Sequence, residues 1–309
     1  MQTKNIDTIQ QDVIELINLN VEKNKIFSFL KKRYKIENEA EYEEIYSACM
    51  KYKNNDNIEK VVSLSNVKEE EIKRLSTSIK EIDWLYGSTE MMRNNIKYLK
   101  YGVPLSRVSL WAGSPGVGKT RTLIHLTSIL NKLKIKVLYF QKEASLSEFK
   151  SWTNGKIDYE DDYIISDAST VEEQANIIIA ENPKVVVIDS INNIKNKDGK
   201  FDVKQFVLKF KEIASLIDCH IFLIGHLNKQ KKVKGNNDLE YMVDIVVELT
   251  KNEDTKSNFF LSIPEKNRSG PVGRKIELRH TNLGVEEFSK NGFYEVFKEN
   301  CLESFSNIV

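Results

Sequence analysis

Apolar residues at helical spacing characterise the first part of the chain, and residues 1 to about 75 contain no glycine or proline. This pattern predicts two to four packed helices. The composition then turns to Asn, Lys, Glu and Ser between residues 54 and 71, which is typical of a linker. We therefore predict a helical N-terminal region with its linker at 1–73 and a second domain at 74–309. The apolar positions are Ile6, Ile9, Val13, Ile14, Leu16 and Ile17, followed by stretches Ile26 to Leu30 and Ala40 to Met50.

Beyond Leu75 short apolar or β-branched runs alternate with helical patterns. This alternation is typical of a parallel sheet covered by helices on both faces. The predicted strands are Arg107 to Ala112, Lys136 to Phe140, Tyr163 to Ser166, Lys184 to Asp189 and His220 to Gly225. The predicted helices are Arg121 to Leu133, Val171 to Asn182 and Val203 to Ile217. Strands at Ile245 to Thr250, Phe259 to Pro264 and Arg274 to Arg279 are predicted to form an antiparallel edge of this α/β fold.

A glycine-rich motif joins the first of these strands to the first of these helices. It reads Gly113, Ser114, Pro115, Gly116, Val117, Gly118, Lys119 and Thr120, and Arg121, which follows, is expected to contact the nucleotide as well. This order fits the phosphate-binding loop, in which glycines let backbone N–H groups point at a triphosphate and the helix N-terminus adds positive charge. Lys119 is expected to bridge the β and γ phosphates and the Thr120 hydroxyl to hold Mg²⁺. The sequence therefore predicts a site for a nucleoside triphosphate with magnesium.

Two carboxylates complete the predicted chemistry. Asp189 ends a buried apolar run, where it is placed to anchor Mg²⁺, although an Asp at a strand end is often only a cap. Glu143 follows the strand that ends at Phe140 and is the candidate base that orients the attacking water. The plainer alternative for Glu143 is a solvated surface residue beside Lys142.

The order of motifs resembles the RecA-like P-loop ATPase core of the RadA/Sms recombination proteins. The matching segments are Arg74 to Asp83, Glu143, Asp189-Ser190, Gly225-His226, Leu239 to Asp244 and Lys266 to Gly270. Lys266 to Gly273 and His226 to Lys229 look equally like DnaB-type replicative helicases. The sequence departs from the RadA/Sms pattern at Ser269, where that family has Phe, and between Gly87 and Pro104, which is longer than the expected glycine-rich turn.

The resemblance implies roles for three further residues and an assembly. His226 would be the sensor of the γ-phosphate, although a lone histidine at a strand end is also a common core residue. Lys266 and Arg268 would reach the triphosphate of the adjacent subunit, where the alternative is a solvated turn. The implied cofactors are ATP and Mg²⁺, and the implied assembly is a ring, with six subunits expected.

RecA-like cores bind DNA through loops after the fourth and fifth strands, and both loops are basic in this sequence. The candidate phosphate contacts are Lys195, Lys197, Lys200, Lys229, Lys231, Lys232 and Lys234. Neither loop contains an aromatic residue, so the sequence predicts sequence-independent contact with the phosphates of single-stranded DNA. The alternative is that these lysines only keep the loops soluble.

Charge and cysteine content restrict the partners, the covalent or metal sites and the cellular location that the sequence predicts. The net charge of +1 gives no global argument for a nucleic acid or an anionic membrane as partner. Three scattered cysteines do not form a disulfide framework or a four-ligand zinc site. With no signal peptide or membrane span recognisable, a cytoplasmic protein is expected.

These features together predict an ATP-dependent motor or remodeller on single-stranded DNA in recombination, repair or replication. A replicative helicase whose helices at 1–73 contact a protein partner is the nearest alternative. A regulatory or assembly ATPase without DNA binding, and a strand-annealing protein that uses ATP only for assembly, are alternatives of other classes.

Overall fold

A mostly parallel sheet with helices on both faces organises the computed structural model. The structure describes residues 6–50, 71–94, 96–142, 144–153, 162–194, 202–226, 239–254, 258–281 and 284–287. The helices are α1 (Ile6–Asn18), α2 (Lys23–Tyr34), α3 (Glu39–Met50), α4 (Lys80–Tyr86), α5 (Lys119–Lys132), α6 (Leu146–Thr153), α7 (Val171–Glu181), α8 (Val203–Ile217) and α9 (Leu239–Met242). None of the helices in this part of the chain is long and apolar enough to cross a membrane.

The strands form one large sheet and two small ones. They are β1 (Arg74–Leu75), β2 (Ser88–Arg93), β3 (Ile96–Tyr101), β4 (Val103–Pro104), β5 (Arg107–Gly113), β6 (Val137–Gln141), β7 (Tyr163–Ser166), β8 (Val185–Asp189), β9 (His220–His226), β10 (Ile245–Lys251), β11 (Asn258–Ile263), β12 (Arg274–Thr281) and β13 (Gly284–Glu287). The nine-stranded sheet has the order β13-β12-β11-β10-β5-β9-β8-β6-β7. Its strands from β10 to β7 are parallel, and β11 to β13 add the antiparallel edge. The predicted fold class is confirmed.

Successive residues of the central strands pack into two different hydrophobic clusters, because side chains alternate between the faces of a strand. In β8, Val186 and Ile188 join the cluster under α7 and α8, whereas Val185 and Val187 join the cluster under α5. Both sets are buried. Burial on both faces is why these strands read as continuous apolar runs instead of alternating patterns.

The three N-terminal helices pack against the sheet domain through α7 and α8. Their buried residues belong to the same hydrophobic cluster as those two helices. Polar contacts fix the arrangement: Arg33 donates to the Leu216 carbonyl at 2.6 Å, the Glu22 backbone N–H donates to Asn176 Oδ1 at 3.1 Å, and Lys32 pairs with Glu181 at 3.0 Å. The predicted linker at 54–71 lies almost wholly outside the described residues, so the boundary at residue 73 stays a prediction.

The lengthened segment between Gly87 and Pro104 forms an antiparallel hairpin that the sequence patterns did not predict. Among the strands that the structure describes, β2 and β3 pair only with each other, from Ser88 opposite Tyr101 to Arg93 opposite Ile96. Asn94 in the turn has φ 51°, a left-handed conformation that Asn tolerates. The hairpin therefore stands beside the main sheet and not within it.

A series of buried hydrogen bonds connects the segments at the end of the sheet where β5 and β9 begin. The His220 Nδ1 lies 2.7 Å from the Pro104 carbonyl, which only accepts, so this nitrogen carries the proton. The Ser109 hydroxyl then donates to His220 Nε2 at 2.7 Å, and Trp111 donates to the Tyr86 hydroxyl at 2.8 Å. Burial lowers the pKa of His220 to about 4. The imidazole is therefore neutral in the folded protein at neutral pH.

His220→Asn is expected to make the free energy of unfolding less dependent on pH. Because the folded pKa lies below the unfolded value of about 6.5, the unfolded chain binds the proton first, and wild-type stability falls as the pH falls from about 6.5 to 4. The slope from this group reaches about 1.4 kcal/mol per pH unit. Urea unfolding of both proteins across this range is the measurement. Parallel pH profiles for the two proteins would contradict the assignment.

Candidate nucleotide site

The phosphate-binding motif folds into the loop between β5 and α5. Gly116 has φ 72° and Gly118 has φ 104°, which are left-handed conformations that favour glycine. At Gly113 a Cβ would lie 2.7 Å from the Leu249 carbonyl oxygen, so β10 leaves no room for a side chain there. These glycines are thus required by the curl of the loop and by the close approach of the neighbouring strand.

The amine of Lys119 lies inside the curl of this loop. Lys119 is buried, and its Nζ donates to the carbonyls of Gly113 at 2.8 Å and Ser114 at 3.1 Å. Thr120 follows in the first turn of α5 and is partly exposed. The loop therefore concentrates a cation, a hydroxyl and a helix N-terminus in one concave surface, which is the chemistry that a polyphosphate requires.

Parallel pairing brings Asp189 and His226 to the edge of the sheet at which the parallel strands end, and the phosphate loop lies at the same edge. In the register of β5 and β9, His226 is opposite Gly113. Asp189 ends β8, the strand on the other side of β9. Two inter-strand steps of about 4.8 Å separate β5 from β8. The sheet thus brings together the backbone positions of three predicted site elements.

The Asp189 carboxylate is buried and held by a tyrosine. Its Oδ2 accepts from the Tyr139 hydroxyl at 2.9 Å, and Tyr139 projects from the adjacent strand β6. A carboxylate and the Thr120 hydroxyl are oxygen donors of the kind that Mg²⁺ prefers. Among the described residues no cluster of three or more His, Cys, Asp or Glu side chains is placed to hold a metal. The donors present fit an ion that takes its remaining ligands from phosphate and water.

The end of β12 covers one side of the phosphate loop, a contact that the sequence did not reveal. The His280 ring stacks on Phe259 at 4.1 Å, and its Nε2 lies 3.1 Å from the Thr122 hydroxyl. A Cβ on Gly118 would lie 2.1 Å from the His280 ring. Burial and the nearby Arg121 lower the pKa of His280 to about 4, so the ring is neutral at neutral pH.

Arg121 is fixed to the same strand. Its guanidinium donates to the carbonyl of Thr281. The predicted contact of Arg121 with nucleotide therefore starts from a side chain that is already anchored beside His280. A histidine in a mixed polar strand gives no sequence signal of this role, because the loop that it touches lies about 160 residues earlier in the chain.

Lys266 and Arg268 lie at the opposite edge of the sheet, where the parallel strands begin. Asn267 forms a bridge with Ile245, and Ile245 is paired with Ser109 near the start of β5. The phosphate loop begins at the other end of this register, where Leu249 is opposite Gly113. Four residue steps along the strands correspond to about 13 Å. The structure therefore does not bring Lys266 and Arg268 to the phosphate loop of their own chain.

Both cations are held by the segment around α9. Lys266 donates to the carbonyls of Glu240 and Tyr241, and burial together with Arg268 lowers its pKa. Arg268 pairs with Asp244 at 3.4 Å while its side chain remains 55% exposed. Asp244 also pairs with Lys211 at 2.6 Å and accepts from the Val108 backbone N–H. The Arg268 guanidinium is thus paired with Asp244 and still largely open to solvent.

Several predicted residues fall outside the described part of the chain. Glu143 is one of them, two residues after Gln141, which is opposite Asp189 in the sheet. All the predicted DNA-contacting lysines are also outside it, namely Lys195, Lys197, Lys200, Lys229, Lys231, Lys232 and Lys234. Their roles stay predictions. The described residues fix only where these segments leave the sheet, after β6, β8 and β9.

Sequence comparison connects this site with DNA repair proteins. Residues 80–232 match the family described as AAA domain. The DNA repair protein RadA of Helicobacter pylori strain J99 is 30% identical over 252 residues, which are 79% of this chain and 51% of that protein. The RadA proteins of Halalkalibacterium halodurans and Escherichia coli K12 are each 27% identical, over 77% of this chain and 49% and 50% of theirs. The chain spans about half the length of the curated relatives it matches.

Solved structures support the fold. The RadB recombinase superimposes with a TM-score of 0.51 at 19% identity, covering 70% of this chain and all of that one. The flagellar accessory protein FlaH from Methanocaldococcus jannaschii gives a TM-score of 0.50 at 14% identity, covering 61% of this chain and 92% of that one. A recombinase and a flagellar accessory protein share this architecture, so the fold by itself does not decide the function.

Lys119→Ala is expected to weaken binding of a nucleoside triphosphate by about 10- to 100-fold or more, because a charge-assisted contact to phosphate is lost. Titration calorimetry with a slowly hydrolysed ATP analogue and Mg²⁺ measures the affinity. Lys132→Ala, at the exposed end of the same helix, is the matched control and should bind as wild type does. Equal affinity for Lys119→Ala and wild type, with both proteins folded, would contradict the assignment of the loop.

Proposed function

We propose that the RecA-like, RadA-type ATPase core of this chain hydrolyses ATP between adjacent copies and thereby moves or remodels single-stranded DNA in recombination or repair. One observation carries the proposal: the phosphate loop and Asp189 lie at one edge of the sheet, and the cations Lys266 and Arg268 lie at the other. A site that needs both sets is complete only when two copies meet.

Within one copy, the residues at the loop bind and orient the nucleotide. Lys119 would exchange its two loop carbonyls for phosphate oxygens, and Thr120 and Asp189 would hold Mg²⁺. The ion would supply positive charge that offsets the charge of the phosphates. Tyr139 fixes the Asp189 carboxylate through its hydrogen bond. Glu143 is the proposed base that takes a proton from the attacking water.

The second copy supplies the cations. A positive group that arrives at the γ-phosphate stabilises the charge that spreads over its oxygens in the transition state. Arg268 suits this role because it is anchored by Asp244 and still more than half exposed. Lys266 lies beside it on the same short loop. His226, at the loop edge, is the proposed sensor that links the γ-phosphate to the segment that follows β9.

Contact with DNA is assigned to the two basic segments that follow β8 and β9. The segment from Leu227 to Asn237 contains four lysines and no acidic residue. Both segments leave the sheet at the edge that holds Asp189 and His226, so a change at the phosphate is transmitted to them over a short distance. Relatives named DNA repair protein RadA support recombination or repair over other processes.

A replicative-type helicase is the second candidate, and the segment from Lys266 to Gly273 favours it because that segment looks equally like DnaB-type helicases. Unwinding of a forked duplex by the purified protein would support this candidate. A ring of six copies and a protein partner for residues 1–73 belong to both versions of the proposal.

Arg268→Ala is expected to lower ATP turnover on the order of 10³-fold while nucleotide affinity is unchanged. Asp244 keeps its 2.6 Å pair with Lys211, so the variant should fold. When Arg268→Ala and Lys119→Ala proteins are mixed, turnover should reappear, because one copy supplies the loop and the other the cation. Absence of recovery at every mixing ratio, with assembly confirmed by light scattering, would refute a site shared between copies.

Neutralising Lys229, Lys231, Lys232 and Lys234 together is expected to weaken single-strand binding equally on all sequences, because phosphate contacts carry no base information. Each lost contact should flatten the dependence of log affinity on log salt by about 0.7, so the slope falls by up to about 3. Fluorescence anisotropy across a salt series measures both quantities. Unchanged affinity and slope would favour the regulatory ATPase that binds no DNA.

A further inference from the structure

The hairpin of β2 and β3 has no role in the chemistry described above. Within the described part of the chain it pairs with no other strand, and its apolar side chains are exposed on both faces. On one face Met92 is 64% exposed, and on the other Ile96 is 56% exposed. An isolated two-stranded hairpin is marginally stable in water, so a hairpin with exposed apolar side chains on both faces gains stability from contact with another surface.

The base of the hairpin is built into the same unit as the loop that carries Lys266 and Arg268. Arg74 donates to Thr89 Oγ1 at 2.8 Å, to the Gly102 carbonyl at 2.9 Å and to the carbonyl of Ser269. A single buried guanidinium therefore connects both strands of the hairpin to the cationic loop. Burial, with the nearby Arg274, lowers the pKa of Arg74 to about 10, so it stays charged at neutral pH.

Close backbone contacts strengthen this connection. A Cβ on Gly87 would lie 2.6 Å from Pro271 Cδ, and a Cβ on Gly270 would lie 2.3 Å from the Tyr86 carbonyl oxygen. Asn267 donates to that same carbonyl at 3.2 Å. The segment before the hairpin and the loop after β11 are thus packed backbone to backbone. Arg268 and the base of the hairpin therefore belong to one packed unit.

From this juxtaposition we propose that the β2–β3 hairpin is a docking arm for a second copy of this chain. The inference rests on the proposed function in one respect, namely that Arg268 serves the nucleotide of another copy. The hairpin of one copy packs beside the phosphate-loop edge of the next, and the arm therefore sets how the cationic loop enters that site. The contact is heterologous, since the arm and its target are different surfaces.

The chemistry of the hairpin favours a protein surface over a nucleic acid. Its cross-strand pairs combine Met91 with Tyr98 and Met92 with Lys97. Methionine, tyrosine and arginine are enriched in protein interfaces, and the hairpin contains all three. Between Ser88 and Tyr101 the sequence has three basic residues and one acidic residue, so the complementary surface should be apolar with acidic groups.

Helix α6 offers an exposed apolar residue to such an arm. It follows β6 at the phosphate-loop edge, with Leu146 45% exposed and with Glu148 and Lys150 exposed on the same helix. Hydrogen bonds from Ser145 lower the pKa of Glu148, so its carboxylate is charged at neutral pH. A second copy therefore offers Leu146 to the apolar residues of the arm and the Glu148 carboxylate to its basic residues.

The test uses the full chain with Met92 and Ile96 both changed to Asp. We expect the protein concentration that gives half-maximal ATP turnover to rise by about tenfold or more, as for the loss of interface anchor residues. Assembly measured by light scattering with a slowly hydrolysed ATP analogue should weaken in parallel. Affinity for nucleotide at low protein concentration should stay at the wild-type value. Ile6→Asp, at an equally exposed apolar position, is the matched control.

A second variant that replaces residues 90–99 by two glycines shortens the arm without adding charge and should give the same result. Wild-type assembly by both variants would overturn the proposal. So would unchanged assembly with lost DNA binding, which would assign the hairpin to nucleic acid. Absence of DNA-dependent ATP turnover in a wild-type protein that does assemble would refute the proposed function alone and leave the arm to be judged by the assembly of its variants.

Discussion

The phosphate loop, His226 and Asp189 share one end of the sheet because β5 pairs in parallel with β9 and β9 with β8. Parallel strands end at one sheet edge, so the chain delivers the phosphate loop, His226 and Asp189 to that edge from positions far apart in sequence. The pairing is stabilised by burial on both faces, where alternate strand residues enter separate hydrophobic clusters. A shift of one residue in register would exchange these faces and separate the site.

The same sheet explains why the proposed site is divided between two copies. The antiparallel edge returns the chain from β11 to the start of β10, and the cationic loop is thereby fixed about 13 Å along the strands from the phosphate loop. Buried polar contacts hold that distance: Asp244 anchors Arg268, and Arg74 anchors the loop to the hairpin. The N-terminal helices pack on α7 and α8, on one face of the sheet.

Much of this arrangement could be predicted from the sequence, because continuous apolar strands and the phosphate-loop motif depend on local composition. The strand that ends at Asp189 and the helix that begins near Lys119 are confirmed within one or two residues. The hairpin could not be predicted, since Met91 and Met92 break the period-two pattern and both of its faces are exposed. Tyr139 and His280 act through contacts between distant segments, which no spacing reveals. Glu143 and the loop lysines stay predictions.

The proposed active site is complete only when two copies of the chain meet. The decisive measurement is ATP turnover per subunit over a wide range of protein concentration, with saturating single-stranded DNA and with light scattering on the same samples. If the site is shared, turnover is near zero for the monomer and rises together with assembly. A turnover per subunit that is constant from the monomer to the assembled state would contradict it.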